Sequence, residues 1–276
     1  MSNLVTTEWL AAHLNDTNLV LLDSTWHLPT AKRNAHKEYI ATHIEGAHFF
    51  DIDLTSDRTS PLPHMLPTAE QFGAQMGALG IGNDSHIVTY DSYGLFSAAR
   101  CWWMFKVFGH DKVSVLDGGL KKWLAEGRNV ESGEPPPPLA KHFAATFNSQ
   151  MVRSMAEVEA STDQIADARS AARFRGEEPE PRAGVRPGHI PHARNVHYAS
   201  LLAADGTMRS QKDLATKFAD AGIDTAKPII TSCGSGVTAA ILSLALAELG
   251  AKETALYDGS WTQWGASSMP LATGPA

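Results

Sequence analysis

The stretch Ile87-Val88-Thr89-Tyr90-Asp91-Ser92-Tyr93-Gly94 lies without a gap over Ile229-Ile230-Thr231-Ser232-Cys233-Gly234-Ser235-Gly236, about half a chain further on in 276 residues. Each copy is a continuous apolar run of strand length that breaks into a loop with glycine and then enters a long apolar helix. The turns around them repeat as well. His189-Ile190-Pro191-His192-Ala193 echoes His43-Ile44-Glu45-Gly46-Ala47, and Tyr257-Asp258-Gly259-Ser260-Trp261 echoes Leu116-Asp117-Gly118-Gly119-Leu120. A self-similar pattern at half the chain length predicts two similar domains from duplication. In the first copy Asp91 stands where the second has Cys233, so the first has no sulfur nucleophile at that position.

Within each copy, helices and strands alternate. Strands are expected at Leu19–Asp23, His86–Tyr90, Val113–Leu116, Gln164–Ala168 and Pro228–Ser232. Capping boxes at Thr68-Ala69-Glu70-Gln71 and Ser154-Met155-Ala156-Glu157 open helices between them. Further helices are read at Thr6–Leu14, Ala31–Thr42, Phe96–Phe108 and Ser210–Ala221, and Phe49–Pro67 reads as a long polar loop. The alternation predicts an α/β fold: two tandem domains, each a mostly parallel sheet with helices on both faces. Pro135-Pro136-Pro137-Pro138 cannot continue such a layer and reads as a stiff linker. The expected division is 1–134, a linker over 135–150, and 151–276.

The second copy of the loop carries the chemistry. A lone cysteine is ordinarily a small buried hydrophobe, and Cys101, inside the apolar run Ala98–Phe105, is read that way. Cys233 differs because it sits between a strand end and a helix start, in a Gly-x-Gly loop. Converging backbone N–H groups and the positive end of the helix would hold a sulfur there as an anion. A cysteine phosphatase would need an arginine six residues on to grip phosphoryl oxygens, and Ala239 occupies that place.

Arg173-Phe174-Arg175-Gly176-Glu177-Glu178-Pro179-Glu180-Pro181-Arg182 would ordinarily be a solvated surface loop. However, it follows the strand ending near Asp167. Loops leaving strand C-termini line the ligand crevice of an α/β sheet. Two guanidiniums there would bind a carboxylate in paired fashion. Asp53 and His64 share the long first-domain loop and can be drawn as an orienting or acid–base pair. His189, His192 and His197 have no H-E-x-x-H spacing and no cysteine pair beside them, so turn or surface roles are read for them and no metal site is expected.

The formal charge of −7 argues against nucleic acid or an anionic membrane surface as a partner. Two cysteines far apart make no disulfide framework and suit a reducing compartment. The start of the chain lacks a basic and apolar leader pattern. The most apolar run, Val237–Leu249, is broken by Ser243 and Glu248 and is too short to span a bilayer. The expectation is a cytoplasmic enzyme or binding protein.

Taken together, Phe50-Asp51-Ile52-Asp53, Ser56-Asp57-Arg58-Thr59-Ser60-Pro61, His64-Met65-Leu66-Pro67, Trp102-Trp103-Met104-Phe105, Ala168-Arg169, Glu178-Pro179-Glu180-Pro181-Arg182, Gly188-His189-Ile190-Pro191 and Cys233-Gly234-Ser235-Gly236-Val237-Thr238 resemble the two-domain rhodanese-like sulfurtransferases. The likeness runs over nearly the whole chain. Thiosulfate-using members typically carry Arg-Lys after the cysteine, and mercaptopyruvate-using members carry Gly-Ser, as here. The resemblance implies Cys233 as a sulfur acceptor that becomes a persulfide. It implies Arg173 and Arg182 as the pair that grips the carboxylate and keto oxygen of the substrate, and Gly234, Ser235, Gly236, Val237 and Thr238 as the loop around the sulfur. Asp53 and His64 match residues proposed to form a relay with Ser235. The implied donor is a small anionic keto-acid thiol and the implied acceptor thioredoxin, a small thiol or cyanide, with no metal or organic cofactor. His192 departs from the glycine usual in relatives. The competing readings are a thiosulfate sulfurtransferase and a non-catalytic rhodanese-like binding module.

Overall fold

The computed structural model describes residues 2–275. The chain divides into two compact units: Met1–Arg58, Leu66–Asn148 and Ala203–Met208 form the first, and Thr59–Met65, Ser149–Leu202 and Arg209–Ala276 the second. The first unit is built on a five-stranded parallel sheet ordered Leu4–Val5, Val113–Leu116, His86–Tyr90, Leu19–Asp23, Ala47–Phe49. The second has a five-stranded parallel sheet ordered Val152–Arg153, Thr254–Tyr257, Ile229–Ser232, Gln164–Asp167, Arg194–Asn195. The two orders are the same when elements are matched by their place in each copy. Both sheets are flanked by helices, and their inner strands are buried as parallel sheets require. One small antiparallel pair, His43–Ile44 with Val130–Glu131, stands outside the first sheet.

Local chemistry accounts for the element boundaries. The Thr68 and Ser154 capping boxes both form, opening helices Ala69–Ala78 and Met155–Ala160. The helix expected over Ala31–Thr42 is shorter. Asn34 accepts from the Lys37 N–H and starts it at Ala35, after a 3₁₀ turn at Pro29–Ala31 and a left-handed Lys32. The Phe49–Pro67 stretch is not all loop either: Asp51 caps a one-turn helix, Ile52–Thr55, by accepting from the N–H groups of Asp53 and Leu54. Helix Ala239–Glu248 has buried residues around its whole circumference from Ala239 to Leu246, as a helix apolar on every face must.

The segment read as a linker lies along the first unit for most of its length. Lys141 N–H donates to Gly77 O (2.9 Å), Thr146 N–H to Phe108 O (3.0 Å) and Asn148 N–H to Val107 O (2.8 Å). Phe143 is buried against Phe72. A Cβ on Gly73 or Gly77 would collide with the backbone oxygens of Phe143 and Lys141, so these two glycines open the groove in which the segment lies. Four prolines stop the sheet, but the apolar and hydrogen-bonding residues that follow keep the chain on the surface of the unit.

Candidate active site

Cys233 is the first residue after strand Ile229–Ser232 and is 1% exposed. The Gly236 N–H donates to its Sγ at 3.1 Å. Gly236 has φ of 80°, in the left-handed region that glycine adopts without a Cβ clash, and this turns the loop around the sulfur. No side chain caps the start of helix Ala239–Glu248, so its positive end faces the loop. Ser235 and Val237 are buried, while Gly234 and Thr238 are half-exposed.

The first copy shows what such a loop holds. There the Asp91 carboxylate accepts from the N–H groups of Tyr93 (2.9 Å), Phe96 (2.6 Å) and Ala98 (2.9 Å). These positions fall on Ser235, Thr238 and Ala240 of the second copy. Burial raises the pKa of Asp91 against the pull of those N–H groups. The loop geometry is thus a ring of donors around one side chain at the end of the strand. In one copy a carboxylate accepts from those N–H groups, and in the other the cysteine sulfur accepts from the Gly236 N–H. Cys101 has no such ring: burial pushes its thiol up to about 12, in line with a core role.

Arg173 lies beside the loop, and Arg182 is linked to it through Thr262. A Cβ placed on Gly234 would lie 3.3 Å from Nη2 of Arg173. Arg173 is on the short helix Ala171–Arg175, capped by Ser170. Its guanidinium is held by Glu180, with Nη2 to Oε2 at 2.5 Å and Nε to Oε1 at 3.3 Å. Arg182 Nη1 donates to Thr262 Oγ1 (3.4 Å), and that hydroxyl donates to Gly234 O (2.5 Å). His64 belongs to the same unit as Cys233, is 5% exposed, and has a left-handed φ of 62°. Such strain in a non-glycine residue is characteristic of functional positions. Asp53 lies in the first unit, where its carboxylate accepts from Trp26 Nε1 at 3.0 Å.

The supporting residues escaped the sequence reading. Arg169 forms the centre of a buried network: it bonds Asp167 through Nε and Nη2, Glu180 through Nη1 (2.9 Å) and Gly188 O through Nη2 (2.8 Å), and its guanidinium lies 4.5 Å from the centroid of the Trp261 ring. Burial works to lower the pKa of Arg169, and Asp167 and Glu180 outweigh it, keeping the guanidinium charged. Glu180, which reads as one more solvated acid of the insertion, ties this core to Arg173. Ser260 was also missed. It has φ of 47° where the matching Gly119 has 53°. Its Oγ accepts from the Cys233 N–H (3.3 Å) and donates to Tyr257 O (2.8 Å). The exchange of glycine for serine between the two copies, at a position that disfavours any side chain, was the available signal. His192 holds a φ of 67°, which explains why glycine suits that turn and shows that histidine keeps it. Among the described residues no group of three or more His, Cys, Asp or Glu is placed to hold a metal ion.

The sequence profile of the Rhodanese-like domain matches residues 6–126 and again 152–267. The 3-mercaptopyruvate sulfurtransferase of Escherichia coli (strain K12) is 45% identical over 270 residues, covering 96% of this chain and 95% of the relative. A thiosulfate/3-mercaptopyruvate sulfurtransferase 1 from Arabidopsis thaliana, described as mitochondrial, is 43% identical over 284 residues, covering 94% of this chain and 75% of the relative. Among solved structures, that of the 3-mercaptopyruvate sulfotransferase SseA from Escherichia coli matches with a TM-score of 0.86 at 43% identity, covering 95% of this chain and 99% of that one.

Proposed function

The chain belongs to the rhodanese family, with two rhodanese-like domains in tandem, and from that premise we propose that it moves sulfane sulfur from 3-mercaptopyruvate to a thiol or cyanide, releasing pyruvate. The observation that carries the choice of donor is the Arg173 guanidinium beside Gly234, where a Cβ would meet its Nη2 at 3.3 Å, with Arg182 linked to the same loop through Thr262. An arginine at Gly234, the thiosulfate-type residue, would set a second cation against Arg173. The extra positive charge that a dianion such as thiosulfate calls for is absent from the loop, whereas a monoanionic keto acid needs only the two insertion arginines.

In this reading Sγ of Cys233 attacks the thiol sulfur of the donor as the carbon–sulfur bond breaks. The electron pair leaves with the pyruvate enolate, whose charge Arg173 and Arg182 stabilise. The proton given up by the cysteine ends on the enolate carbon, with Ser235 and His64, of the same unit, as the relay. The outer sulfur of the Cys233 persulfide then lies in the N–H ring that Asp91 fills in the first copy. An acceptor thiol, thioredoxin or a small thiol, attacks that sulfur and regenerates the cysteine. No metal or organic cofactor enters the cycle. No helix among the described residues is long and apolar enough to cross a membrane, and we place the reaction in the cytoplasm.

The deciding measurement is a paired donor assay. The expected kcat/KM for pyruvate release from 3-mercaptopyruvate exceeds that for thiosulfate with cyanide by roughly 100-fold, the scale on which a site built around specific polar contacts discriminates. Comparable or reversed constants would replace the keto acid by thiosulfate as the donor. Thr262→Val provides a finer test. It removes the hydroxyl that links Arg182 to Gly234 O, and the loss of one charge-assisted bond should raise KM for the keto acid about tenfold with little change in kcat or melting temperature. An unchanged KM would detach Arg182 from substrate binding.

A further inference from the structure

The loop of the first copy, which has no cysteine, carries a second constellation that the sulfur chemistry does not use. Tyr93, at the position matching Ser235, is 39% exposed, and its hydroxyl lies 2.9 Å from Nδ1 of the buried His27. The other ring nitrogen of His27, Nε2, lies 2.9 Å from Oε2 of Glu38. Arg33 donates to both oxygens of Glu38, Nε to Oε1 at 2.8 Å and Nη2 to Oε2 at 2.7 Å. That pairing holds the Glu38 carboxyl below its usual range, so it is ionised and can only accept. Nε2 then carries a ring proton, and in the neutral imidazole Nδ1 presents its lone pair to the Tyr93 hydroxyl. This is a hydroxyl, base and orienting carboxylate in sequence, with the tautomer fixed by the carboxylate.

A cavity of about 500 Å³ shares Arg33 and Glu38 with this relay. Tyr39, Leu120 and Leu124 give it an apolar wall, and Ser92 lines it too.

We propose that Tyr93 is the nucleophile of a second reactive centre, which takes small activated acyl groups onto its phenolic oxygen. The phenol oxygen bonds to the acyl carbon as its proton passes to Nδ1 of His27. The bond from the acyl carbon to the leaving oxygen or sulfur breaks, the leaving group departs with the electron pair, and the imidazolium returns the proton to it. An O-acyl tyrosine results, with no change of oxidation state. The apolar wall of the cavity next to the relay, which shares Arg33 and Glu38 with it, suits a short acyl chain.

The test uses p-nitrophenyl acetate on full-length protein carrying Cys233→Ser, so that the active thiol does not compete, with peptide mass mapping of the acetyl increment. Tyr93 should label in preference to Tyr198, the remaining tyrosine that is not buried. His27→Gln should slow Tyr93 labelling roughly 100-fold, the scale of general-base assistance. Glu38→Gln should slow it about tenfold through the mispositioned imidazole, and Tyr93→Phe should remove it. Should His27→Gln fail to fold, Glu38→Gln, at a part-exposed side chain, gives the same contrast. Tyr93 labelling at the wild-type rate in the folded His27 or Glu38 variants, or Tyr198 labelling as fast as Tyr93, overturns the proposal.

Discussion

Replacing Cys233 by serine is expected to leave a folded protein that gains no mass on incubation with 3-mercaptopyruvate, where the unaltered chain gains about 32 Da, one sulfur atom. The substitution keeps the shape of the side chain at the end of strand Ile229–Ser232 and keeps the Gly236 N–H facing it. It removes the nucleophile, because an alcohol is far less acidic than a thiol, so the loop does not hold it as an anion, and it has no means of holding a sulfane sulfur. Pyruvate release should fall by more than about 10³-fold, as when the nucleophile of a covalent mechanism is deleted. Cys101 makes the experiment decisive. Its thiol is fully buried and pushed up to about 12, so the unaltered chain should take up a single sulfur and the variant none. A mass gain that survives in Cys233→Ser would place the nucleophile elsewhere and undo the assignment of the loop.

The parts of this site legible in the sequence were those encoded within a few residues of each other. Strand, Gly-x-Gly and helix form one contiguous signal, so the position of Cys233 followed from local pattern. The duplicate made that signal stronger, since Asp91 marked which copy lacked the sulfur. Arg173 and Arg182 were reachable by rule, because loops after strand C-termini line the crevice. The residues that hold these groups were not reachable in this way. Ser260 and Thr262 come from the turn after the next strand and act through hydrogen bonds to Cys233 N and Gly234 O, contacts that only the folded sheet creates. Glu180 lies among exposed acids and has the same composition signature as Glu177, which pairs with Arg175 at the surface. Only packing distinguishes the two. Likewise the proline run correctly marked the end of a layer but carried no information on the glycine-lined groove that receives residues 141–148.

The buried network around Arg169 yields the largest expected effect on stability. The Arg169 side chain is 1% exposed, and those of Asp167 and Glu180 are 2% and 4% exposed. Arg169→Met preserves much of the volume over the Trp261 ring but leaves the buried Asp167 carboxylate without its counter-charge and Glu180 with Arg173 as its remaining partner. It also orphans the Gly188 carbonyl that Nη2 satisfies. Removing one partner of a buried ion pair costs about 3–5 kcal/mol because the remaining charge is uncompensated. For a unit of this size that corresponds to a drop in melting temperature of roughly 10 °C or more. The cause is separable from loss of packing. Adding Asp167→Asn to Arg169→Met removes the stranded charge and should recover a substantial part of the loss, a non-additivity expected of groups in one network. The single variant should also bind the keto acid poorly even where it is folded, since Glu180 is shared between Arg169 and Arg173. A melting temperature within about 2 °C of the unaltered chain, on the scale of a surface change, would mean that the network contributes nothing net and that Arg173 is positioned by other means.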